Sequence, residues 1–389
     1  MTPMSFTVDV EPKVLAWART SLNLTQDDVA AAIGVDTGRL AEWEAGAASP
    51  RMTELRKLSR ALHCSVATLL LSEPPPRPRQ PRDYRTLPTR HQHPLGAGTL
   101  LAIRRAYRVV GLAKDLADQL SATLAPTLPK VDRAGDAEDA AIEMRRILGM
   151  SVDDQVRVAK KHDAYHRWRL LVERLGVFVL EAAMPRSECR GFSIYDARAP
   201  VIVVTNQDFA APRAFSLLHE LAHLSLRTSG LCEIEGPEGA KLPSVEVYCN
   251  HVAGAAMVPR DELLAHPLVS EHDSDLWDDE RLEGIGASFK ASKEVVLRRL
   301  LLLGRTTEAF YQSRREQWVV DHEGMPEYIP RVKQARRAFN RNGVDFTGLV
   351  LEAHRNGIIS SFEAAEFLST KPKYLDAIDR HLYERLSLR

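Results

Sequence analysis

The chain has 389 residues, 44% of them hydrophobic, enough for two or three domains with ordinary cores. Its 52 Lys/Arg balance 52 Asp/Glu, which excludes a globally basic nucleic-acid binder and any global pull toward an anionic membrane. No apolar run nears the ~18 residues needed to span a bilayer, so no membrane partner is expected. At the front, Met1 to Asp9 lacks the basic and apolar regions of a secretory signal. Residues 11–72 then read as five short helices. Thr25 is placed to cap the second, with Asp28 three residues on, and Gly34 is a natural stop. Asp36 opens a third helix, Thr37 to Ala45, ended by Gly46. Two short helices around a tight glycine-containing turn are a helix-turn-helix pattern.

Leu24-Thr-Gln-x-x-Val-Ala, Ile33-Gly-Val, Leu40-x-x-Trp-Glu-x-Gly46 and Pro50 resemble the XRE (Cro/repressor-like) DNA-binding family over this whole segment. The resemblance implies a five-helix domain over 1–73 that contacts double-stranded DNA. The contact residues it implies are Thr25 and Gln26, with Asp36, Thr37 and Arg39 at the leading end of the groove-entering third helix. The charge runs the other way. Residues 1–73 hold seven Lys/Arg against nine Asp/Glu, and Gly38 stands where a base-reading side chain often sits. Docking of a partner or of a second protomer, as a homodimer, is the alternative use of the segment.

Residues 74–98 form a Pro/Arg-rich linker. The stretch 74–110 carries eight arginines and one acid, a basic run able to add phosphate contacts or to serve as a spacer. Residues 99–175 read as helical, with a loop expected around the acidic stretch Asp132–Asp139. His162 and His166 are four apart on a helix here. Without a carboxylate or cysteine pattern beside them, they read as surface or packing residues.

Residues 191–206 read as strand, turn and strand, leading into Phe215-Ser-Leu-Leu-His-Glu-Leu-Ala-His223. On a helix, His219 and His223 lie about 40° apart, so both imidazoles can reach one ion, while Glu220 sits about 100° from His219. Phe215, Leu217, Leu218, Leu221, Ala222, Leu224 and Leu226 cover most of the circumference. Ser216, His219, Glu220, His223 and Arg227 share one polar stripe. A buried stripe must be satisfied internally, and a metal satisfies two histidines at once. The third ligand is sought in a return helix that Ser244 can cap. Val247, Val252, Ala255, Ala256 and Met257 supply its apolar surface. Glu246, 23 residues after His223, is the leading candidate, with Asn250 one turn on to orient a ligand histidine. Glu233, Glu235, Cys232 and Cys249 are the alternatives.

His219-Glu-x-x-His223, Glu246-x-x-Cys-Asn-x-x-Ala and Met257-Val-Pro resemble the ImmA/IrrE metallopeptidase family over roughly 155–305. Ser216 and Cys249 depart from its usual threonine and alanine. By that resemblance His219, His223 and Glu246 hold the metal and Glu220 is the general base. Zn2+ is the default ion, with Mn2+ compatible with the donors. The implied substrate is a repressor protein of helix-turn-helix type. Tyr195, near the strand edge, is the candidate oxyanion donor.

Leu282 to Gly304 again runs helix, turn, helix. Leu297 and Leu300 to Leu303 read as a cap on the peptidase core, with Arg298 and Arg299 leaving a DNA role open. Residues 306–389 read as a helical C-terminal region, with Phe346, Leu349, Val350 and Leu351 spaced for packing. Cys64, Cys189, Cys232 and Cys249 form no paired spacing, which fits a reducing, cytoplasmic setting. The expectation is thus an α+β, mostly α protein: residues 1–73, a linker, a zincin-like peptidase domain over 99–305, and a helical tail. A non-proteolytic repressor or antitoxin, with a metal-sensing or partner-holding domain, is the competing class.

Overall fold

The computed structural model describes residues 7–76, 95–131, 134–227, 244–323 and 333–386. It divides into two compact units, one built mainly from the N-terminal helices and one from residue 106 onward. Most of the expected Pro/Arg linker, 77–94, lies outside the described residues.

The first unit holds α1 (Pro12–Thr20), α2 (Gln26–Ile33), α3 (Thr37–Glu44), α4 (Met52–Ala61) and α5 (Val66–Leu69). Local chemistry sets the α2 boundaries. Thr25 Oγ1 accepts from the Asp28 N–H at 3.1 Å, and Asp28 Oδ2 accepts from the Thr25 N–H at 2.8 Å, forming a reciprocal cap. Gly34 ends the helix in the left-handed region, φ +72°. Val29, Ile33, Leu40, Trp43, Leu55 and Leu58 close the core.

In the second unit the part of α6 (Ala97–Gln119) from Ala106 onward, α7 (Ala137–Leu148), α8 (Val152–Arg157) and α9 (Lys161–Glu173) precede the strands. The acidic stretch is not all loop. Asp136 accepts from the Glu138 N–H at 2.6 Å and caps α7, so Glu138 and Asp139 occupy its first turn, where acids oppose the helix dipole favourably. Strands β1 (Phe178–Ala182), β2 (Gly191–Ile194) and β3 (Val201–Thr205) form one sheet in the order β1-β3-β2. β1 runs parallel to β3 and β2 antiparallel. Gly191 pairs with Val204 and Ser193 with Ile202, so these four share the face on which α10 (Ala210–Ser225) packs.

Every residue of α10 from Arg213 to Ser225 is buried. Leu217, Leu218 and Leu221 are fully enclosed, each contributing roughly 1.5–3 kcal/mol relative to exposure. The helix ends at Ser225 and Arg227 adopts φ +49°, so Arg227 leaves the predicted polar stripe. After it come α11 (Ser244–Met257), α12 (Arg260–Ala265), α13 (Pro267–Ser270), α14 (Asp279–Phe289), α15 (Lys293–Leu302) and α16 (Glu308–Glu323). On α11 the expected apolar face is corrected at one position: Val247 is half exposed and Val245 takes its place in the core. On α15 Leu297 and Leu300 are buried, but Leu302 faces outward.

The tail forms α17 (Gln334–Asn342), α18 (Val344–Arg355), α19 (Ser361–Phe367) and, after a 3-10 turn, α20 (Leu375–Leu386). Gly343 joins α17 to α18 at φ +75° and ψ 175°, a conformation side chains rarely adopt. The Val344 N–H there donates to Glu173 Oε1 at 3.2 Å. Glu173 lies 3.3 Å from Arg169 Nε, Arg169 Nη1 donates to Glu181 Oε1 at 2.7 Å, and Arg213 Nη2 lies 2.5 Å from that same oxygen. A buried ionic chain thus runs from the tail to the first turn of α10. No helix among the described residues is long and apolar enough to cross a membrane.

Candidate metal centre and helix-turn-helix surface

α10 and α11 bring three donors together. His219 Nε2 and His223 Nε2 are 3.0 Å apart, His223 Nε2 is 3.0 Å from Glu246 Oε1, and His219 Nε2 is 3.3 Å from Glu246 Oε2. Among the described residues this is the one group of three such donors within mutual reach. All are buried or nearly so. Burial alone pushes the Glu246 carboxyl up, yet bonds from His219 and His223 hold it well below the usual range. Burial likewise pushes His223 down, and Cys249 and Glu246 more than reverse it, raising that imidazole. The cluster therefore stabilises positive charge at its centre.

That is the chemistry a divalent cation needs, and the spacing agrees. Ligand atoms about 2.0–2.1 Å from a tetrahedral ion sit ~3.3 Å from one another, close to all three separations. Two neutral nitrogens and one carboxylate oxygen suit Zn2+ and leave a fourth direction open. Of the alternative ligands, Cys232, Glu233 and Glu235 lie outside the described residues. Cys249 is buried, with its thiol pushed up by burial, and does not complete the group of three.

Glu220 is buried beside the pair, and Ser193 Oγ on β2 donates to its Oε2 at 2.9 Å. Sequence reasoning missed Ser193. The available signal was its position two residues from Gly191 on a strand preceding the helix. Asn250 is buried one turn beyond Glu246, and its Oδ1 has no hydrogen-bond partner among the described residues. Tyr195 is partly buried against the core just past β2, and no described hydrogen bond joins it to the cluster.

The position of α11 is fixed at its far end. Arg145 donates to the Ala256 carbonyl at 2.6 Å, Gln155 to Met257 at 2.8 Å and Arg299 to Val258 at 2.9 Å. Arg299 also grips Glu138 through both oxygens at 2.6 and 2.9 Å, and His251 Nε2 meets Glu138 at 2.7 Å. Arg299, 1% exposed, is thus committed to the core and is removed from any DNA contact by the α14–α15 pair. At the other flank, Lys114 Nζ holds Asp196 at 2.8 Å, anchoring the turn that follows β2.

In the first unit the DNA candidates are engaged internally. Gln26 Nε2 donates to Glu44 at 2.8 Å, a carboxylate already held by Arg19. Thr37 Oγ1 donates to Asp27 at 2.6 Å, and Asp36 caps α3 through the Gly38 N–H at 2.9 Å. Arg39 pairs with Glu54 at 2.9 Å and lies 5.5 Å over the Trp43 ring. Thr25 spends its hydroxyl on the α2 cap.

The two compact units are a helix-turn-helix and a zincin-like unit with a helix of His-Glu-x-x-His spacing over a small sheet. Residues 15–69 match the helix-turn-helix family model, and residues 172–301 match that of the IrrE N-terminal-like domain, a peptidase family. The chain therefore joins an XRE-type DNA-binding domain to an IrrE-like peptidase-family domain. No curated protein and no solved structure matches it.

Proposed function

We propose that the chain is a metal-dependent endopeptidase under helix-turn-helix control, which cleaves a repressor protein and so derepresses stress-response or mobile-element genes. The observation that carries this reading is the convergence of His219, His223 and Glu246 beside a buried, hydrogen-bonded Glu220. In it, His219, His223 and Glu246 hold Zn2+, with Mn2+ as the substitute, and Asn250 supports the ligands from behind. The ion supplies Lewis acidity, acidifying water and polarising a peptide carbonyl. Glu220 takes the proton from the attacking water and delivers it to the leaving amine, while Ser193 keeps the carboxylate over β2. β2 pairs with β3 on one side only among the described strands, and an extended peptide can align along its other edge. Tyr195, two residues beyond Ser193, is assigned as oxyanion donor.

The proposed division is residues 1–73 for DNA, a 74–98 linker, 99–305 for peptide hydrolysis and 306–389 as a helical support, working in the cytoplasm, with dimerisation through the first domain. Incubating the metal-loaded chain with helix-turn-helix repressors encoded nearby tests the reading. A discrete cleavage by the wild type that Glu220→Gln lacks supports it. Intact repressors throughout, or equal cleavage by Glu220→Gln, count against it.

A further inference from the structure

The histidines of α9 have no place in that chemistry. His162 Nε2 and His166 Nε2 face one another at 3.2 Å, their ring centroids 4.4 Å apart. This is nearly the separation seen between His219 and His223, but on the outside of the fold: the His162 side chain is half exposed. Asp163 Oδ1 lies 3.5 Å from His162 Nδ1, so a carboxylate stands behind one ring, an arrangement that orients histidine ligands. The backbone that sets the spacing is rigid, because Tyr165, Trp168 and Arg169 on the inner face of α9 are all buried.

We propose that His162 and His166 form a second, exposed seat for a borderline divalent cation: Zn2+, Cu2+ or Ni2+. Two imidazole nitrogens bound side by side at about 2.0–2.1 Å lie ~2.9–3.3 Å apart for coordination angles between square and tetrahedral, and 3.2 Å falls inside that range. Water fills the remaining positions. The seat is weaker than the buried cluster for three reasons. It has two protein donors instead of three, it is solvated, and it lies in the first two turns of α9, with His162 beside Lys160 and Lys161, where helix dipole and lysines oppose a cation. Imidazole donors with open positions select late first-row metals over Mg2+ or Ca2+.

The test uses full-length, chelator-treated protein titrated with Zn2+ against a chromophoric indicator. Two affinity classes are expected. His162→Gln or His166→Gln should weaken the lesser class more than about tenfold while leaving the tighter one, and Glu246→Ala should do the reverse. In wild-type protein, the second equivalent of Zn2+ should shield His162 and His166 from diethylpyrocarbonate, read by peptide mass spectrometry. A single class, a lesser class that survives both variants, or unshielded His162 and His166 at two equivalents overturns the second seat. Loss of the tighter class alone bears only on the proposed peptidase centre.

Discussion

Replacing Gly343 by alanine tests whether the tail is part of the scaffold beneath α10. Two costs can be separated. At φ +75° a side chain is strained by ~1–3 kcal/mol. An added Cβ also meets the Val179 carbonyl at 2.7 Å, and the Glu173 carboxylate more closely still. Both neighbours are constrained, Val179 by the sheet and Glu173 by Arg169 and the Val344 N–H. Overpacking of this kind costs ~1–3 kcal/mol. The expected loss is roughly 2–6 kcal/mol, a fall of about 4–12 °C in Tm at about 2 °C per kcal/mol for a unit of this size. Gly149→Ala is the control. It shares the positive φ, +67°, but its ψ of 34° places it in the left-handed helical region, a milder strain than that at Gly343, and its added methyl has nothing within 4 Å, so it sets the lower bound with no overpacking. Differential scanning calorimetry at fixed metal concentration reads both. A Gly343→Ala loss no larger than that of Gly149→Ala refutes the claim that the α17–α18 joint is wedged into the core.

Other outcomes follow from the same geometry. Glu138 is held down at about 2 because its bonds to His251 and Arg299 outweigh burial, which pushes it up. A depressed acid stabilises the fold above its unfolded value near 4.3 and loses that contribution as pH falls toward 2. The shift corresponds to at most about 3 kcal/mol, roughly half that after solvent screening on its His251 side. Glu138→Gln should flatten the acid limb of the stability profile, and an unchanged limb would assign acid unfolding elsewhere. Asn250→Ala should weaken metal binding ~10–100-fold and Cys249→Ala should hardly change it, as measured by equilibrium dialysis. The reverse order would move the third donor toward sulfur. In the first unit, Glu54→Gln should release Arg39 and tighten binding to a generic DNA duplex, whereas Arg39→Ala should weaken it and lower the salt slope by about one. Weaker anisotropy-measured binding by Glu54→Gln would show that the pair orients Arg39 for contact.

Much of this organisation was legible because it rests on short-range chemistry. Thr25, Asp28 and Gly34 announce α2 through groups three to nine residues apart, and the four-residue spacing of His219 and His223 alone sets a shared helix face. Glu246 was readable only through its setting, an acid in the first turn of a second helix. What escaped depends on distant pairing. Ser193 gains meaning from the fold of β2 under α10, 27 residues on, and Arg299 looked available to DNA because its partner Glu138 lies 161 residues away. β1 was not singled out, although Val177-Phe-Val-Leu after Gly176 is an apolar run of strand length. Val247 and Arg227 were misplaced for a simpler reason: helical periodicity does not say which edge of an apolar arc meets solvent, nor where the helix stops.

The three donors come from two different helices, two from α10 and one from α11. An ion bridging them is therefore also a reversible crosslink, and it acts by mass action. At a free concentration one hundred times its dissociation constant, it adds about 2.7 kcal/mol to the folded state. The measured robustness of this half of the molecule then belongs to the chain and its medium jointly. If these residues hold such an ion, its withdrawal would loosen the α10–α11 contact along with any chemistry carried there, and protein lifetime would follow metal supply without a separate sensor.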